Sequence, residues 1–186
     1  MAEATVTAGQ KTAVQDTGGL PAPKPAEKTP GERLDELKKA LDSNVAARAR
    51  TIGRIAGLAD GSQDKAFRER CADAIGSFLT AERTSTTDRE HAARMLGTLN
   101  TPKAVDHLST AVSDGQPDRL KYPTTVRTAA IQALIKVTGL PMVEAKTREA
   151  AMDAVRAVAE KDRYDPGREA KAFLARLEDI RKKSAK

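Results

Sequence analysis

Two histidines, His91 and His107, are the side chains of this sequence best suited to proton transfer near neutral pH. Asp106 and Ser109 lie close to His107, so an acid, a base and a nucleophile are near one another along the chain. A hydrolytic site needs these groups to converge in space. On a single helix, however, these three neighbouring side chains point in different directions. We therefore predict no catalytic residue, and we predict that the chain is not an enzyme.

The sequence also lacks the residue patterns that usually bind metal ions or cofactors. Zinc sites draw mainly on Cys and His side chains, but this chain has one cysteine, Cys71, and two histidines without a His-x-x-x-His spacing. Cys71 occupies a small-residue position on an apolar stripe, which predicts a buried thiol with a packing role. We predict no metal ligand and no cofactor.

The charge balance favours a mixed surface. The chain has 186 residues, 32 basic and 26 acidic side chains and a net charge of +6. Phosphate binders usually concentrate their basic residues on one face, so we expect a protein partner, with nucleic acid as the less favoured one. No apolar run reaches the ~18 residues that a membrane span needs, and a single cysteine fits a reducing compartment. These features predict no membrane insertion and a cytoplasmic location.

The composition divides the chain into an arm, a domain and a short tail. Residues 1–28 are rich in Pro, Ala and Thr and lack apolar periodicity, so we predict a disordered N-terminal arm. It is interpreted as a flexible leader or, alternatively, as a docking peptide. Thr29 and Glu32 have the spacing of a capping box, which predicts the start of a helix. A helical-repeat domain is expected over 29–182, followed by a basic tail at 183–186.

Helical periodicity continues through the whole domain, and no window has the alternation of a strand. The fold class is therefore all-α. Gly61 and Gly139 follow predicted helix ends, where a left-handed residue is expected. The predicted helices are 32–42, 44–59, 65–81, 88–99, 102–113, 124–138, 143–159 and 166–182.

Four segments, beginning at Phe67, Asp88, Val126 and Thr147, repeat one frame. A small residue stands four positions after each start and is followed by a second small residue in the first two segments, and larger apolar residues stand eight and eleven positions after each start. These offsets share one helical stripe, so the small residues let a neighbouring helix approach while the larger ones fill the interface. Glycine recurs in the frame, which predicts close backbone contact or a loosened helix end. These glycines are Gly53, Gly76 and Gly97.

The clearest repeat is DREHAARMLGTLNTPKAVDHLSTAVSDG at 88–115, and VRTAAIQALIKV at 126–137 is the next. With these segments the chain resembles HEAT-like helical repeats of the short bacterial type over about 44–180. The resemblance implies an α-solenoid that presents an interaction surface. Segment 115–123 departs from the pattern as an insertion, and the frame recurs early at Thr147, which leaves the pairing of the flanking helices open.

One frame position is always arginine, and we call the four residues the arginine ladder: Arg68, Arg89, Arg127 and Arg148. The ladder is interpreted as structural, with its guanidinium groups paired to aspartates of adjacent turns and fixing the stacking. The alternative is that it binds phosphates or acidic peptides. The expected aspartate partners are Asp60, Asp88, Asp114 and Asp118.

The leading functional hypothesis is a non-catalytic protein–protein interaction or scaffolding module. One helix of each pair would line its binding groove, and the candidate exposed residues are His107, Thr110, Glu149, Asp153 and Arg156.

Two other functions stay open. The first is binding of nucleic acid or another anionic surface through basic helix faces. A contiguous basic stripe would favour this function, whereas interspersed charges would favour a protein partner. The candidate anion contacts are Arg48, Arg50, Arg54, Arg181, Lys182 and Lys183. The second is an accessory or lyase-like subunit of an enzyme.

Overall fold

Helices make up almost all of the described part of the chain. The computed structural model describes residues 27–81, 84–113, 122–140 and 142–185, and these contain helices and no strand, which confirms the all-α prediction. A short 3-10 turn, Val45–Ala47, follows the first helix. The α-helices are α1 Pro30–Ser43, α2 Arg48–Asp60, α3 Lys65–Thr80, α4 Thr86–Leu99, α5 Pro102–Ser113, α6 Thr124–Gly139, α7 Ala145–Lys161 and α8 Asp165–Ser184.

Two predictions fall mainly outside the described residues. The arm at 1–28 is described only from residue 27, and the insertion at 115–123 only from residue 122. At the other end, α8 runs to Ser184 and therefore includes Lys183, which the sequence assigned to the tail. The helix predicted at 44–59 begins only at Arg48, after the Val45–Ala47 turn, and the other predicted helix ends lie close to the observed ones.

The first helix begins with the predicted capping box. The Thr29 hydroxyl accepts the Glu32 amide at 3.3 Å, and the Glu32 carboxylate accepts the Thr29 amide at 2.7 Å. Each partner thereby satisfies an amide that the helix itself leaves unpaired. The bond from the Thr29 amide holds the pKa of Glu32 below its ordinary value of 4.5.

Among the described residues the left-handed conformation occurs at Asn100, and not at the two glycines that the sequence suggested. Asn100 has φ 52° and follows the last residue of α4. Thr101 then caps α5 by accepting the Ala104 amide at 3.2 Å. Gly61 ends α2 with φ −75° and bonds the Gly57 carbonyl at 3.2 Å, so it stays right-handed. Gly139 remains inside α6, and among the described glycines none has a positive φ.

The helices pack in two rows. Each helix contacts its neighbour along the chain, and each also contacts the helix two places further on. The odd row therefore contains α1, α3, α5 and α7, and the even row contains α2, α4, α6 and α8. The contact between α4 and α6 is the most extensive.

The repeated frame supplies the core between these rows. The apolar residues eight and eleven places after each start are all buried, which confirms the predicted stripe. These residues are Ile75, Phe78, Leu96, Leu99, Leu134, Val137, Val155 and Val158.

Two of the three recurring glycines lie where neighbouring helices come closest. A Cβ added at Gly76 would lie 2.2 Å from the His107 ring of α5, and one added at Gly97 would lie 2.7 Å from Ala133 of α6. Each glycine thus brings its helix against the next member of the same row. The prediction of close contact is confirmed at these two positions and is wrong at Gly53, whose added Cβ would meet nothing within 4 Å.

Candidate interaction surfaces

The arginine ladder closes helix ends. Each ladder arginine is the fourth residue of its helix. All four side chains donate to main-chain carbonyls at the C-terminal end of an adjacent helix. Arg68 reaches Leu99 at 2.7 Å, Arg89 reaches Ala81, Arg127 reaches Val112 at 3.2 Å, and Arg148 reaches Leu140 at 3.0 Å.

These contacts correct the expected aspartate partners. The last carbonyls of a helix lack internal donors and carry the negative end of the helix dipole, so a guanidinium group is a favourable partner there. In the described part of the chain neither Arg68 nor Arg148 pairs with a carboxylate. Asp88 instead accepts the Ser85 hydroxyl at 2.8 Å. Asp60 forms no described ion pair with the ladder, and Asp114 and Asp118 lie outside the described residues.

The ladder does reach one carboxylate, that of Asp162, which the sequence did not single out. Asp162 ends α7 and forms an ion pair with Arg127 in the interior. Its other oxygen accepts the Tyr164 amide at 2.8 Å. The Asp162 carbonyl lies where a Cβ on Gly167 would stand, at 1.9 Å. Asp162 thus joins α6, α7 and the start of α8.

The five residues predicted as a partner surface all fall on the odd row, and we call this set the α5–α7 surface. It comprises His107 and Thr110 on α5, and Glu149, Asp153 and Arg156 on α7. The two helices are in contact, so the structure brings the set onto neighbouring helices. Thr110, Glu149, Asp153 and Arg156 are exposed, and Arg156 pairs with Asp153 at 2.9 Å.

The His107 side chain is less exposed than the sequence suggested. Its side chain is 24% exposed, its ring packs on Gly76, and its Nε2 lies 3.0 Å from Asp73 Oδ1. The residue therefore has a structural role between α3 and α5. Asp73, which the sequence analysis missed, extends the α5–α7 surface toward α3.

The exposed face of the even row carries charges of both signs. A cavity of about 420 Å³ lies between α4, α6 and α8. Within it Arg94 pairs with Glu90 at 3.2 Å, and Gln132 donates to Glu169 at 3.2 Å. At its edge Arg168 pairs with Asp165 at 2.6 Å. Two acids on this face are therefore paired with bases, whereas the Glu169 carboxylate accepts a hydrogen bond from a neutral amide.

The predicted anion contacts do not form one patch. Arg48 donates to the Leu41 carbonyl at 3.1 Å and stacks 5.4 Å from the centre of the Phe78 ring, so this side chain holds α2 against its neighbours. Arg48 is half-buried by these contacts. Arg50 and Arg54 are exposed on α2. The remaining candidates, Arg181, Lys182 and Lys183, are exposed in the last turn of α8, on a different helix from Arg50 and Arg54.

The two histidines and Cys71 lie on three different helices. His91 is half-buried on α4, whereas His107 bonds Asp73 and not Asp106 or Ser109. Among the described residues no group of three His, Cys, Asp or Glu side chains is placed to hold a metal ion. Cys71 is buried as predicted, and burial raises the pKa of its thiol to about 11.

Within the described residues, no helix combines the length and the apolar character that crossing a bilayer requires.

Comparisons of this chain with protein-family models, with curated proteins and with solved structures find no match.

Proposed function

We propose that this chain is a non-catalytic protein–protein interaction or scaffolding module whose helices form a HEAT-like α-solenoid. The observation that supports the architecture is the pattern of two rows, in which each helix packs against the helices one and two places along the chain. Stacked helix pairs bury a continuous core in this way and leave long exposed faces.

The α5–α7 surface is the proposed partner site. Its exposed side chains, Thr110, Glu149, Asp153 and Arg156, stand on two packed helices and combine hydroxyl, acidic and basic groups. Such a mixed polar face matches the rim of a non-obligate interface, where complementary charges set specificity more than affinity.

The distribution of charge favours a protein over a nucleic acid. The basic candidates outside the core are split between α2 and α8, and the even-row face between them contains paired acids and bases. A polyanion would need a continuous positive stripe. The accessory or lyase-like role and the cytoplasmic location stay predictions from the sequence.

Affinity capture tests this function. The full chain is immobilised, and captured proteins are compared by mass spectrometry between the wild type and the double variant Glu149→Arg, Asp153→Arg. The control is Glu178→Arg, Asp179→Arg, which makes the same charge change on the exposed side of α8.

We expect a reproducible partner that is retained by the control and lost with the α7 variant. The proposal is wrong if all three proteins capture the same set. It is also wrong if the chain binds duplex DNA with an affinity that falls steeply with salt, since that dependence marks phosphate contacts.

A further inference from the structure

We infer that a groove between α1 and α2 binds an acidic segment of a partner protein. This inference goes beyond the proposed function, because the groove lies on helices that the α5–α7 surface does not use. The groove has a volume of about 600 Å³, which falls in the usual range of binding pockets, roughly 300–1,000 Å³. Its lining residues are Lys28, Arg33, Glu36, Leu37, Ala40, Arg54, Gly57 and Leu58.

The floor of the groove offers an apolar contact. Leu37, Ala40 and Leu58 line it from both helices, and Ala40 and Leu58 are only half-buried. Burial of such surface is favourable in proportion to the apolar area that leaves water. A ligand with an apolar side chain therefore gains more binding free energy from this groove than an entirely polar ligand does.

Two glycines leave the α2 side of this region open. Gly53 and Gly57 stand one turn apart, and a Cβ at either would meet nothing within 4 Å. A glycine inside a helix is less favourable than alanine, because it loses more backbone conformational entropy when the helix forms. At Gly76 and Gly97 close packing explains the glycine, whereas no described residue packs on Gly53 or Gly57. A partner that approaches α2 closely would need this space.

The charge of the groove selects the occupant. Arg33 and Arg54 line it from opposite helices, and Arg50 stands on α2 one turn before Arg54, outside the lining of the groove. Among the described residues none of these three arginines has a carboxylate within ion-pair distance, although Lys28 is neutralised by Glu36. Guanidinium groups form strong bidentate bonds with carboxylates, so aspartate and glutamate side chains are the complementary groups.

A protein segment fits the groove better than a nucleic acid. Single strands bind mainly by stacking bases on aromatic rings, and none of the described residues that line this groove is aromatic. The apolar floor between flanking arginines instead suits a segment in which acidic residues surround one or two aliphatic side chains.

The experiment selects random peptides displayed on phage against the immobilised full chain. The most enriched peptide is then synthesised with a fluorescent label, and its affinity is measured by anisotropy. Two variants alter the groove, namely Arg33→Glu with Arg54→Glu, and Gly57→Gln. Their matched controls are Arg176→Glu with Arg181→Glu, and Gly139→Gln, which changes another exposed glycine with open space around it.

We expect enriched peptides with an excess of acidic residues and at least one large aliphatic residue. Both groove variants should weaken binding by roughly tenfold or more, a loss near 1.4 kcal/mol, and both controls should bind like the wild type. The Gly57→Gln variant should unfold at no lower urea concentration than the wild type, which separates a blocked groove from a damaged fold.

Three results would overturn the inference. One is enrichment of peptides without an acidic bias, and another is equal affinity in all variants. The third is binding of oligothymidylate, or of vesicles containing phosphatidylglycerol, that is tighter than peptide binding and is lost with the Arg33 and Arg54 substitutions. None of these results depends on the α5–α7 surface, so a failure here leaves the proposed function testable by its own variants.

Discussion

Arg127 and Asp162 form an ion pair that is almost completely buried, with side-chain exposures of 1% and 4%. Arg127 also donates to the Val112 carbonyl at the end of α5, and Asp162 accepts the Tyr164 amide before α8. The pair therefore connects four consecutive helices. In the described part of the chain no acceptor bonds the buried Nε and Nη1 atoms of Arg127, so the pair carries a desolvation cost that its bonds only partly offset.

Replacing Asp162 with alanine should destabilise the fold by about 3–5 kcal/mol, because it leaves the Arg127 charge buried without its partner. The free energy of unfolding in urea measures this loss. Glu144→Ala is the matched control, since it removes a carboxylate from the exposed pair with Lys65, where the N–O distance is 2.9 Å. Exposed pairs contribute about 0–1 kcal/mol.

The double variant Arg127→Met, Asp162→Asn separates charge burial from packing. It removes both charges, so it should be more stable than Asp162→Ala. An equal or greater loss in the double variant would show that the contacts of the guanidinium group with main-chain carbonyls outweigh its charge.

Gly76→Ala should destabilise the protein although alanine is the better helix former. The added Cβ would lie 2.2 Å from the His107 ring, and overpacking of this kind costs about 1–3 kcal/mol. Gly53→Ala is the control, and it should stabilise by about 0.5–1 kcal/mol because its added Cβ meets open space. Urea unfolding of both variants provides the comparison.

Adding His107→Ala to the Gly76→Ala variant should recover much of the lost stability, since it removes the clashing ring. If Gly76→Ala alone were as stabilising as Gly53→Ala, the close approach of α3 and α5 would be refuted.

The features that could be predicted from the sequence are those that depend on local periodicity. The repeated frame located the helices and the buried residues at its aliphatic positions, and Thr29 with Glu32 marked the start of α1. Those features depend on residues within a few turns of one another. The same reasoning placed Arg127 at a structural position but could not find its partner.

Asp162 was missed because it lies 35 residues from Arg127 and is brought there only by the packing of α6 and α7. Its type gave no indication, since an aspartate after a helix is usually solvated. His107 was placed on an exposed surface for the same reason, because the space that receives its ring is created by Gly76 on another helix. The constant position of the ladder arginines did indicate their partners. An arginine at the fourth position of a helix can reach the last carbonyls of a neighbouring helix whose C-terminal end lies beside it.

Cys71 should resist alkylation in the folded protein. Burial raises the pKa of its thiol to about 11 from an ordinary value of 9.0, so the reactive thiolate is scarce at pH 8. We expect iodoacetamide to label Cys71 rapidly in urea and slowly in buffer, as followed by intact mass. Rapid labelling of the folded chain would contradict the buried position.

The same shift makes stability depend on alkaline pH. The unfolded thiol ionises near pH 9 while the folded thiol keeps its proton until about pH 11, so the unfolded state binds fewer protons between these values. The contribution of Cys71 is therefore fully present below pH 9 and decreases as pH rises through this window, by at most about 1.4 kcal/mol per pH unit. Cys71→Ala should reduce this slope in urea unfolding measured across the window.

Thr29→Ala should weaken α1 selectively. The hydroxyl accepts the Glu32 amide at 3.3 Å, and loss of such a cap costs about 0.5–2 kcal/mol. Because α1 is the end member of the odd row, we expect faster amide hydrogen exchange in α1 with little change in α4 or α6. Ser77→Ala is the control, since that hydroxyl bonds a carbonyl of its own helix, at Asp73, and caps nothing.

Low pH should weaken α1 in part as the Thr29→Ala substitution does. The pKa of Glu32 is lowered in the folded state by the Thr29 amide, so its contribution is present above pH 4.5 and is lost as the pH falls through the lower folded value. The wild-type protection of α1 should therefore decrease below pH 4.5, and Glu32→Gln should lose this pH dependence while keeping the Thr29 cap. An unchanged acid response in Glu32→Gln would place the titrating group elsewhere, because the glutamine side chain can still accept the Thr29 amide but cannot ionise.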